Sequence, residues 1–356
     1  MSLDNIEVHE RSDMNDCSWL PDHSYVLTAR GWRPLWAISK GDMVLASNYT
    51  GVLSLQQVKE VKYDTQRLVK SSHSFWEFVT GEQHKWLGYR RMTKADNTRV
   101  HIYDHKICTN TTKEFHIRNC GVYGGGFSDV SEDECRVLGW LLADGYIKWE
   151  DVSFGPSTSH GTKRGVTAQI TQNDNKYGEE IKTLLIDTGA YSRETLRKNT
   201  VNVCRDYYLH PAWFRDYWRK LGFQELDKHS IDVVGFLLKQ PKKNIEAFLD
   251  AFYKADGHTT RKGLGTKVIT QNQNNLSEGV IVAGYLLGYN ITSGEKGGIY
   301  TNKRGDINIC KWYKLGEKPH QTTMRIKTEV TAQDEVVQLA LDGYAIYRQE
   351  DVVTCA

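Results

Sequence analysis

Two stretches in the middle of the chain repeat one order of apolar and polar positions. The first is AQITQNDNKYGEEIKTLLIDTGAY over residues 168–191, and the second is KVITQNQNNLSEGVIVAGYLLGYN over residues 267–290. Each has a β-type run ending in Ile-Thr-Gln-Asn, then apolar residues at helical spacing, then a glycine suited to stopping a helix. The pattern predicts a strand followed by a helix, twice.

A second pair of matching segments follows these stretches. VNVCRDYYL starts at residue 201 and INICKWYKL at residue 307, and both alternate apolar and polar positions as half-buried strands do. The strands of both units carry Gln, Asn, Arg and Thr on their alternate face. Such a polar face is suited to contacts with base edges and phosphates.

An apolar helical run ending in Ala-Asp-Gly precedes each unit. The first, SEDECRVLGWLLADGY, begins with Ser131 and Glu134 at the spacing of a capping box. The second, NIEAFLDAFYKADG, has Asn244 as its predicted N-cap. Small residues recur four apart on one face of each helix. They are Gly139 and Ala143 in the first helix and Ala247, Ala251 and Ala255 in the second.

Two helices packed through these small residues in the same sense bring Asp144 close to Asp256. A helix C-terminus already carries partial negative charge, so paired carboxylates there favour a hard divalent cation, Mg²⁺ or Mn²⁺. Two-metal phosphodiester hydrolysis uses such an arrangement. One helix ending in Asp-Gly is commonly no more than a helix stop, but two copies in register with a repeat predict a shared metal site beside Ala143-Asp144.

Charge is distributed unevenly along the chain, although the net charge is only +2. Residues 160–328 hold 27 Lys and Arg against 17 Asp and Glu, whereas the rest holds 19 against 27. A basic middle between acidic ends indicates that the middle faces a polyanion such as double-stranded DNA. Surface charge also segregates without function, so this feature alone decides little.

The remaining composition indicates a cytoplasmic protein without membrane contact, and we expect it to be a monomer. The N-terminus lacks the basic start and apolar core of a secretory signal, and no apolar run is long enough to cross a bilayer. The seven cysteines have neither Cys-x-x-Cys pairs nor zinc-ligand spacing, so we expect no disulfide framework and no zinc site. They are Cys17, Cys108, Cys120, Cys135, Cys204, Cys310 and Cys355.

The two Ala-Asp-Gly segments, VLGWLLADG at 137–145 and LDAFYKADG at 249–257, resemble the motif of the LAGLIDADG homing endonucleases. The resemblance covers about residues 120–318. It places the family's metal-binding acid on Asp144 and Asp256, whereas Leu142 and Lys254 replace the acidic residue usual two positions earlier. It implies a pseudo-twofold, single-chain enzyme that straddles a long DNA target and makes double-strand breaks.

The same resemblance implies three further site residues. Gln172 and Gln271 match a glutamine that often follows Thr near the cleavage centre and helps position water. Lys228, in LDKHSIDVV, is the best match to a lysine that stabilises phosphate charge. The glutamines are equally compatible with polar positions facing DNA or solvent, and most lysines are solvated. In the second copy of the repeat, only Lys314 and Lys318 lie near the position equivalent to Lys228.

The flanking segments resemble the Hint domain, the self-processing β-fold of inteins. The matching runs are PDHSYVLTARGWRPLWAISKGDMVLA at 21–46, VTGEQHKWL at 79–87 and EVVQLALDGYAIYRQEDVVTCA at the end. The resemblance marks Thr80 and His84, one residue further apart than in the family, and Cys17 or Ser18 as the first residue of the domain. His84 would assist an N-terminal acyl shift, or would be a histidine satisfied within a β-core.

Splicing also requires an Asn at the end of the domain, and this sequence ends in Ala356. We therefore expect complete splicing to be blocked. Two histories fit: a free-standing endonuclease that retains a decayed intein fold, or an intein whose terminal Asn was replaced.

The sequence predicts an α+β fold in which a pseudo-twofold LAGLIDADG endonuclease, with two αββαββα-type halves, is inserted into an all-β Hint-like domain. The predicted boundaries are a leader at 1–16, the Hint-like domain at 17–118 plus 320–356, and the endonuclease at 119–319, with halves at about 131–240 and 241–319. The alternatives are an intein-like self-processing protein and a nucleic-acid-binding protein or maturase that does not cleave.

Overall fold

The computed structural model describes most of the chain with interruptions. The described ranges are 18–48, 51–73, 76–93, 99–107, 115–118, 121–152, 163–173, 176–197, 203–224, 227–259, 267–272, 274–301, 307–316, 320–322, 327–342, 344–349 and 352–355. Within them the chain is a mixed α+β protein that divides into two compact units. The first unit comprises residues 1–124, 284–293 and 314–356, and the second comprises residues 125–283 and 294–313.

The N-terminal part of the first unit is built from β-strands, with one 3₁₀ turn at Leu35–Ala37. The strands are β1 Leu20–Pro21, β2 Tyr25–Thr28, β3 Gly31–Pro34, β4 Met43–Ser47, β5 Val52–Gln57, β6 Glu60–His73, β7 Trp76–Gly81, β8 Lys85–Thr93, β9 Arg99–Ile107, β10 Phe115–Arg118 and β11 Val122–Tyr123.

The second unit and its junctions hold the helices. In chain order its elements are α1 Glu132–Asp144, β12 Gly145–Val152, β13 Lys163–Asn173, α2 Gly178–Asp187, β14 Tyr191–Arg197, β15 Cys204–Leu209, α3 Pro211–Lys220, α4 Val233–Leu237, α5 Lys242–Asp256, β16 Gly257–Thr259, β17 Lys267–Asn272, α6 Asn275–Leu286, β18 Asn290–Thr301 and β19 Ile307–Gly316. The C-terminal strands are β20 His320–Thr322, β21 Lys327–Ala340, β22 Tyr344–Gln349 and β23 Val352–Cys355.

Strands from the two ends of the chain share sheets in the first unit. The long strand β21 lies between β1 and β6, and β22 pairs with β2 and β4. Their apolar faces enclose one core in which Phe78, Trp86 and Tyr347 are buried. Burial of such large aromatic side chains is a main source of stability. The helical middle of the sequence is therefore inserted between strands that pair with one another.

Two four-stranded antiparallel sheets follow the two Ala-Asp-Gly helices. The first has the order β12-β13-β15-β14, and the second has the order β16-β17-β19-β18. In the first sheet the apolar side chains of Val166, Ala168 and Ile170 are buried. They alternate along β13 with polar residues, as the sequence pattern predicts. The first half has the order αββαββα, which confirms the prediction for that half.

The second half departs from the predicted αββαββα order. It has α5, β16, β17, α6, β18 and β19, and no helix follows β19 in the part of the chain that the structure describes. The next described element is the strand β20, which pairs with β10. The prediction of a closing helix in this half was therefore wrong for the described residues.

The predicted helix starts were half right. Ser131 and Glu134 form a capping box: the Ser131 side chain accepts from the Glu134 N–H, and the Glu134 carboxylate accepts from the Ser131 N–H. Asn244 is not the cap of the second helix, which begins at Lys242 with Pro241 as N-cap. Proline fixes an extended φ and suits a helix start. Asn244 is buried instead and donates to the Val130 carbonyl and to Oε1 of Gln240.

No helix in the described ranges has both the length and the apolar character needed to span a bilayer.

Candidate active site

The two Ala-Asp-Gly helices pack directly against each other through small residues. A Cβ on Gly139 of α1 would lie 2.4 Å from the carbonyl oxygen of Phe248 and 2.9 Å from Cβ of Ala251, both on α5. Only glycine therefore fits at this crossing. Gly139 and Ala251 occupy the same position in the two motifs, five residues before Asp144 and Asp256. Contact between equivalent positions brings the two C-terminal ends together, as the sequence predicted.

The glycine of each motif has a steric role. Gly145 and Gly257 follow the helices with φ of −90° and −97°, so neither adopts the left-handed conformation of a typical glycine stop. A Cβ on Gly145 would lie 2.1 Å from the Leu141 carbonyl oxygen, and one on Gly257 would lie 2.3 Å from that of Tyr253. The absence of a side chain thus lets the chain pass directly from helix into strand beside each aspartate.

Each aspartate receives a hydrogen bond from the glutamine that the sequence marked. Nε2 of Gln172 donates to Oδ2 of Asp144 at 2.9 Å, and Nε2 of Gln271 donates to Oδ2 of Asp256 at 3.0 Å. Oε1 of each glutamine accepts from the backbone N–H of the next residue, Asn173 or Asn272. This second bond fixes the amide so that its NH₂ group faces the carboxylate. The two halves therefore hold their aspartates in the same way.

Lys228 lies between the two aspartates and the end of α1. Its Nζ donates to the carbonyl oxygens of Leu142, at 3.1 Å, and Gly145, at 2.7 Å. A cation at a helix C-terminus is stabilised by the exposed carbonyls. Its charge interacts with both Asp144 and Asp256. One lysine, from the segment between α3 and α4 of the first half, thus serves both carboxylates.

The pKa values of Asp144, Asp256 and Lys228 depend on burial and on one another's charges. Burial raises the pKa of Asp144, and Lys228, Gln172 and Lys176 oppose that rise. Burial, followed by the charge of Asp144, raises the pKa of Asp256 to about 6, against the effects of Lys228 and Gln271. Burial lowers the pKa of Lys228, and Asp256 and Asp144 oppose the shift. Two carboxylates with raised pKa values side by side form a centre that gains from added positive charge.

These residues fit a hard divalent cation. Each carboxylate uses Oδ2 for its glutamine bond, and within the described ranges Oδ1 has no hydrogen bond. No group of three or more His, Cys, Asp or Glu side chains is assembled in the described residues, so the protein would supply two carboxylates. The other ligands would be water, backbone carbonyls or phosphate oxygens, which Mg²⁺ accepts readily.

The residues two positions before the aspartates, Leu142 and Lys254, have separate structural roles. Leu142 is fully buried in α1. Nζ of Lys254 forms ion pairs with Glu180 at 2.7 Å and with Asp250 at 3.0 Å. Lys254 is thus engaged by carboxylates of α2 and α5.

Two titratable residues near the centre, Lys176 and His229, were missed from the sequence. Lys176, in the turn after β13, acts electrostatically on Asp144 and places its Nζ 4.7 Å from the ring centroid of Tyr177. His229 follows Lys228, and its Nδ1 lies 3.4 Å from Nδ2 of Asn274. Lys176 could have been identified from its position four residues after Gln172. For His229 the only sequence signal was that it follows Lys228.

The residues marked by the Hint resemblance lie in the first unit. Cys17 lies outside the described residues. Ser18, Thr80 and His84 are buried, and the carbonyl of Trp19 accepts from the N–H of Gly81 at 2.9 Å. Burial lowers the pKa of His84 to about 3, and the backbone of Trp19 opposes this shift. Within the described residues, Oγ1 of Thr80 and the ring nitrogens of His84 have no well-formed hydrogen bond.

Comparison with known proteins gives weak similarities to solved structures. I-DmoI in complex with DNA and Ca is 15% identical, covers 53% of this chain and 85% of its own, and has a TM-score of 0.34. A mutant of I-SmaMI is 12% identical over 51% of this chain and 79% of its own, with a TM-score of 0.30. The I-LtrWI LAGLIDADG homing endonuclease bound to target DNA is 11% identical over 53% and 80%, with a TM-score of 0.29.

No protein-family model matches the chain, and no curated protein matches it. The case for function therefore depends on the geometry of the site.

Proposed function

We propose that this protein is a site-specific endonuclease that makes double-strand breaks in DNA by metal-dependent phosphodiester hydrolysis. The observation that carries the proposal is the pairing of Asp144 and Asp256. Two aspartates occupy equivalent positions at the ends of two packed helices, and each receives a hydrogen bond from an equivalent glutamine. A duplex has two antiparallel strands with equivalent scissile bonds, so a centre with two equivalent halves suits cutting both.

The side chains divide the work. Asp144 and Asp256 hold the cation, which when bound would supply Lewis-acid activation of the phosphodiester and of water. Gln172 and Gln271 fix the carboxylates, since their amides are themselves oriented by the backbone. A water-positioning role for the glutamines would come in addition to that contact. Lys228 carries the positive charge that offsets both carboxylates, and we assign it the stabilisation of phosphate charge.

The surrounding chain supports a polyanionic substrate. The excess of Lys and Arg lies in residues 160–328, which include most of both sheets. We propose that residues 119–319, with halves at 131–240 and 241–319, form the endonuclease. Residues 17–118 and 320–356 would form the Hint-like domain around it. The pairing of β21 and β22 with N-terminal strands supports such an insertion.

The test is cleavage of a randomised duplex library with Mg²⁺, followed by sequencing of the cut ends. We expect a defined long site to be enriched and cut on both strands. Asp144→Asn and Asp256→Asn should each abolish double-strand cutting. Asp216→Asn is the matched control, because Asp216 is an exposed aspartate that pairs with Arg219 on α3.

Two results would contradict this proposal. Cutting that persists in both active-site variants would place catalysis elsewhere. Retention of DNA or structured RNA without any cutting, by folded protein with Mg²⁺ or Mn²⁺, would indicate a non-cleaving binding protein or maturase. Binding should be compared at a fixed salt concentration, because phosphate contacts are strongly salt-dependent.

A second candidate function is self-processing at the N-terminal end of the Hint-like domain. The observation that favours it is a group of buried polar side chains near Trp19: Oγ1 of Thr80 has no hydrogen bond in the described residues, and the imidazole of His84 is fully buried beside the backbone of Trp19. Unsatisfied buried polar groups are costly and often mark chemistry. Ser18 is adjacent to Trp19, and Cys17 precedes it in the sequence.

In this reaction Sγ of Cys17 would attack the carbonyl carbon of Asp16. The C–N bond would break to give a thioester and a free amine, and an added thiol would then take the acyl group. Mass spectrometry after thiol treatment should show loss of residues 1–16, and His84→Ala should prevent it. If the hydroxyl of Ser18 reacts instead, the loss is one residue longer. An unchanged mass would remove this second function.

A further inference from the structure

The first sheet has one apolar face and one polar face, and on the polar face Gln169 and Asp206 are buried whereas Tyr146 and Arg197 are exposed. Val166, Ala168 and Ile170 are buried on one side of β13. The alternate positions form rows across the other face, because Gln169 pairs with Tyr146 and Tyr208, and Thr171 pairs with Asp206. Tyr146 is half exposed at one edge of this face. The exposed polar and aromatic side chains of such a face are suited to contacts along a nucleic acid groove.

On the polar face, the buried carboxylate of Asp206 is bonded through both of its oxygens. Only 7% of the side chain is exposed. Its Oδ1 accepts from Oγ1 of Thr171 at 2.6 Å, and its Oδ2 accepts from Nε of Arg197 at 2.7 Å. The carboxylate is thus held by a neighbouring strand on each side. An acid on a face that meets DNA repels phosphates unless a cation pairs with it.

Arg197 is the exposed member of this group. Half of its side chain is exposed, and Asp206 holds it through Nε. Its two Nη groups have no hydrogen-bond partner among the described residues. A guanidinium held at one nitrogen keeps a planar pair of donors in a fixed direction, which lowers the entropy lost on binding. Such a pair matches O6 and N7 of guanine, the most frequent base-specific contact of arginine.

The charge of the pair separates base reading from phosphate binding. Arg197 and Asp206 together are close to neutral, so the pair releases few counterions when it meets DNA. A lone arginine or lysine would suit a phosphate better. The buried carboxylate of Asp206 therefore orients the guanidinium of Arg197 and weakens its long-range electrostatic attraction to phosphates.

The second half does not repeat this arrangement. In an alignment of VNVCRDYYL with INICKWYKL, Trp312 is equivalent to Asp206 and Lys314 is equivalent to Tyr208. The carboxylate that orients Arg197 is therefore specific to the first half. The two halves therefore present different side chains at these equivalent positions.

We propose that Arg197 is a specificity-determining residue that reads a guanine in the half-site facing the first sheet, and that Asp206 and Thr171 are its positioning residues. The proposal rests on the DNA-cleaving function proposed above. It adds which half of the target contains this base and which side chain selects it.

The experiment compares target profiles of wild type, Arg197→Ala, Arg197→Lys and Asp206→Asn, each selected from the randomised library and then titrated on the wild-type site. We expect Arg197→Ala to lose the preference for G at one position of one half-site, with affinity lower by about 10- to 100-fold. Arg197→Lys should keep the salt dependence but lose that preference. Asp206→Asn should weaken the same position by a smaller factor. Arg219→Ala, which removes an ion-paired arginine of α3, should leave the profile unchanged.

Two outcomes would overturn the inference. Equal weakening on all sequences by Arg197→Ala, with a salt slope smaller by about one, would indicate a phosphate contact. An unchanged profile, with thermal melting as in wild type, would place Arg197 outside the interface. Both are distinct from failure of the proposed function, in which wild-type protein enriches and cuts no DNA at all.

Discussion

The two halves of the second unit agree at their centre and differ around it. Asp144 and Asp256 end their helices at the same motif position, and each accepts from a glutamine that its own strand orients. Lys176, in the turn after that strand in the first half, aligns with Asn275, the first residue of α6 in the second half, whose side chain donates to the Ile231 carbonyl. Asp206 likewise aligns with Trp312. In the proposed function the reacting groups on the two DNA strands are chemically identical but the bases around them are not, and the likeness at the centre with differences around it fits that function.

The most severe test of this equivalence is removal of either carboxylate. Asp144→Asn and Asp256→Asn should each lower the rate of double-strand cleavage by on the order of a thousandfold, because each removes half of a shared cation site. Single-turnover cleavage with excess enzyme measures the rate. A large loss in one variant and a small one in the other would show that the halves are not equivalent.

Disruption of the contact between α1 and α5, which brings the halves together, should have the next largest effect. Gly139→Val should destabilise the protein by about 3 kcal/mol, because the added side chain meets the Phe248 backbone. Urea unfolding measures the change. Gly124→Ala is the control, since no atom lies within 4 Å of the added Cβ. Equal stability of Gly139→Val and wild type would disprove the close contact.

The pKa of Asp256 distinguishes the two carboxylates without metal. It is raised to about 6, so the folded state binds a proton that the unfolded state has lost above about pH 4. Its ionisation therefore lowers the free energy of unfolding as pH rises from about 4 to 6. We expect wild type to lose about 1 kcal/mol more than Asp256→Asn between pH 5 and pH 7.5 in EDTA.

Unfolding at the two pH values with and without Mg²⁺ completes this test. Added Mg²⁺ should stabilise wild type more at pH 7.5 than at pH 5, because the cation competes with the proton for Asp256. An equal effect of pH on wild type and Asp256→Asn would show that this carboxylate titrates normally.

The smallest expected effect concerns the surroundings. Lys176→Ala should slow cutting of one strand by about threefold and leave the other strand unchanged. The reason is that Lys176 acts on Asp144, whereas the second half has no lysine at the aligned position. Strand-specific end labels report the two rates. Lys243→Ala removes an exposed lysine of α5 as the control. Equal slowing of both strands would show that its charge is shared.

Much of this organisation was predictable from the sequence because it repeats. The two ITQN strands, the helices after them and the capping box at Ser131 follow local patterns that the structure confirms. The approach of Asp144 to Gln172 follows from a helix and a strand that meet in both copies. Their roles in catalysis stay a prediction.

The features that were missed depend on contacts between distant segments. Asn244 has the sequence of a cap, but Pro241 begins the helix and Asn244 bonds to Val130, more than a hundred residues away. The Arg197–Asp206 pair joins two strands whose register the sequence does not specify. Lys176 has no equivalent lysine in the second copy of the repeat. Single positions that differ between copies are thus the hardest to interpret from one sequence.

Lys228 limits how this protein could be rebuilt from its parts. It occurs once, in the segment between α3 and α4 of the first half, yet it bonds to the end of α1 and acts on both aspartates. A homodimer assembled from two copies of the first half would bring two such lysines to one centre. A homodimer of the second half would bring none. The fused chain therefore has a charge balance that neither half reproduces by duplication.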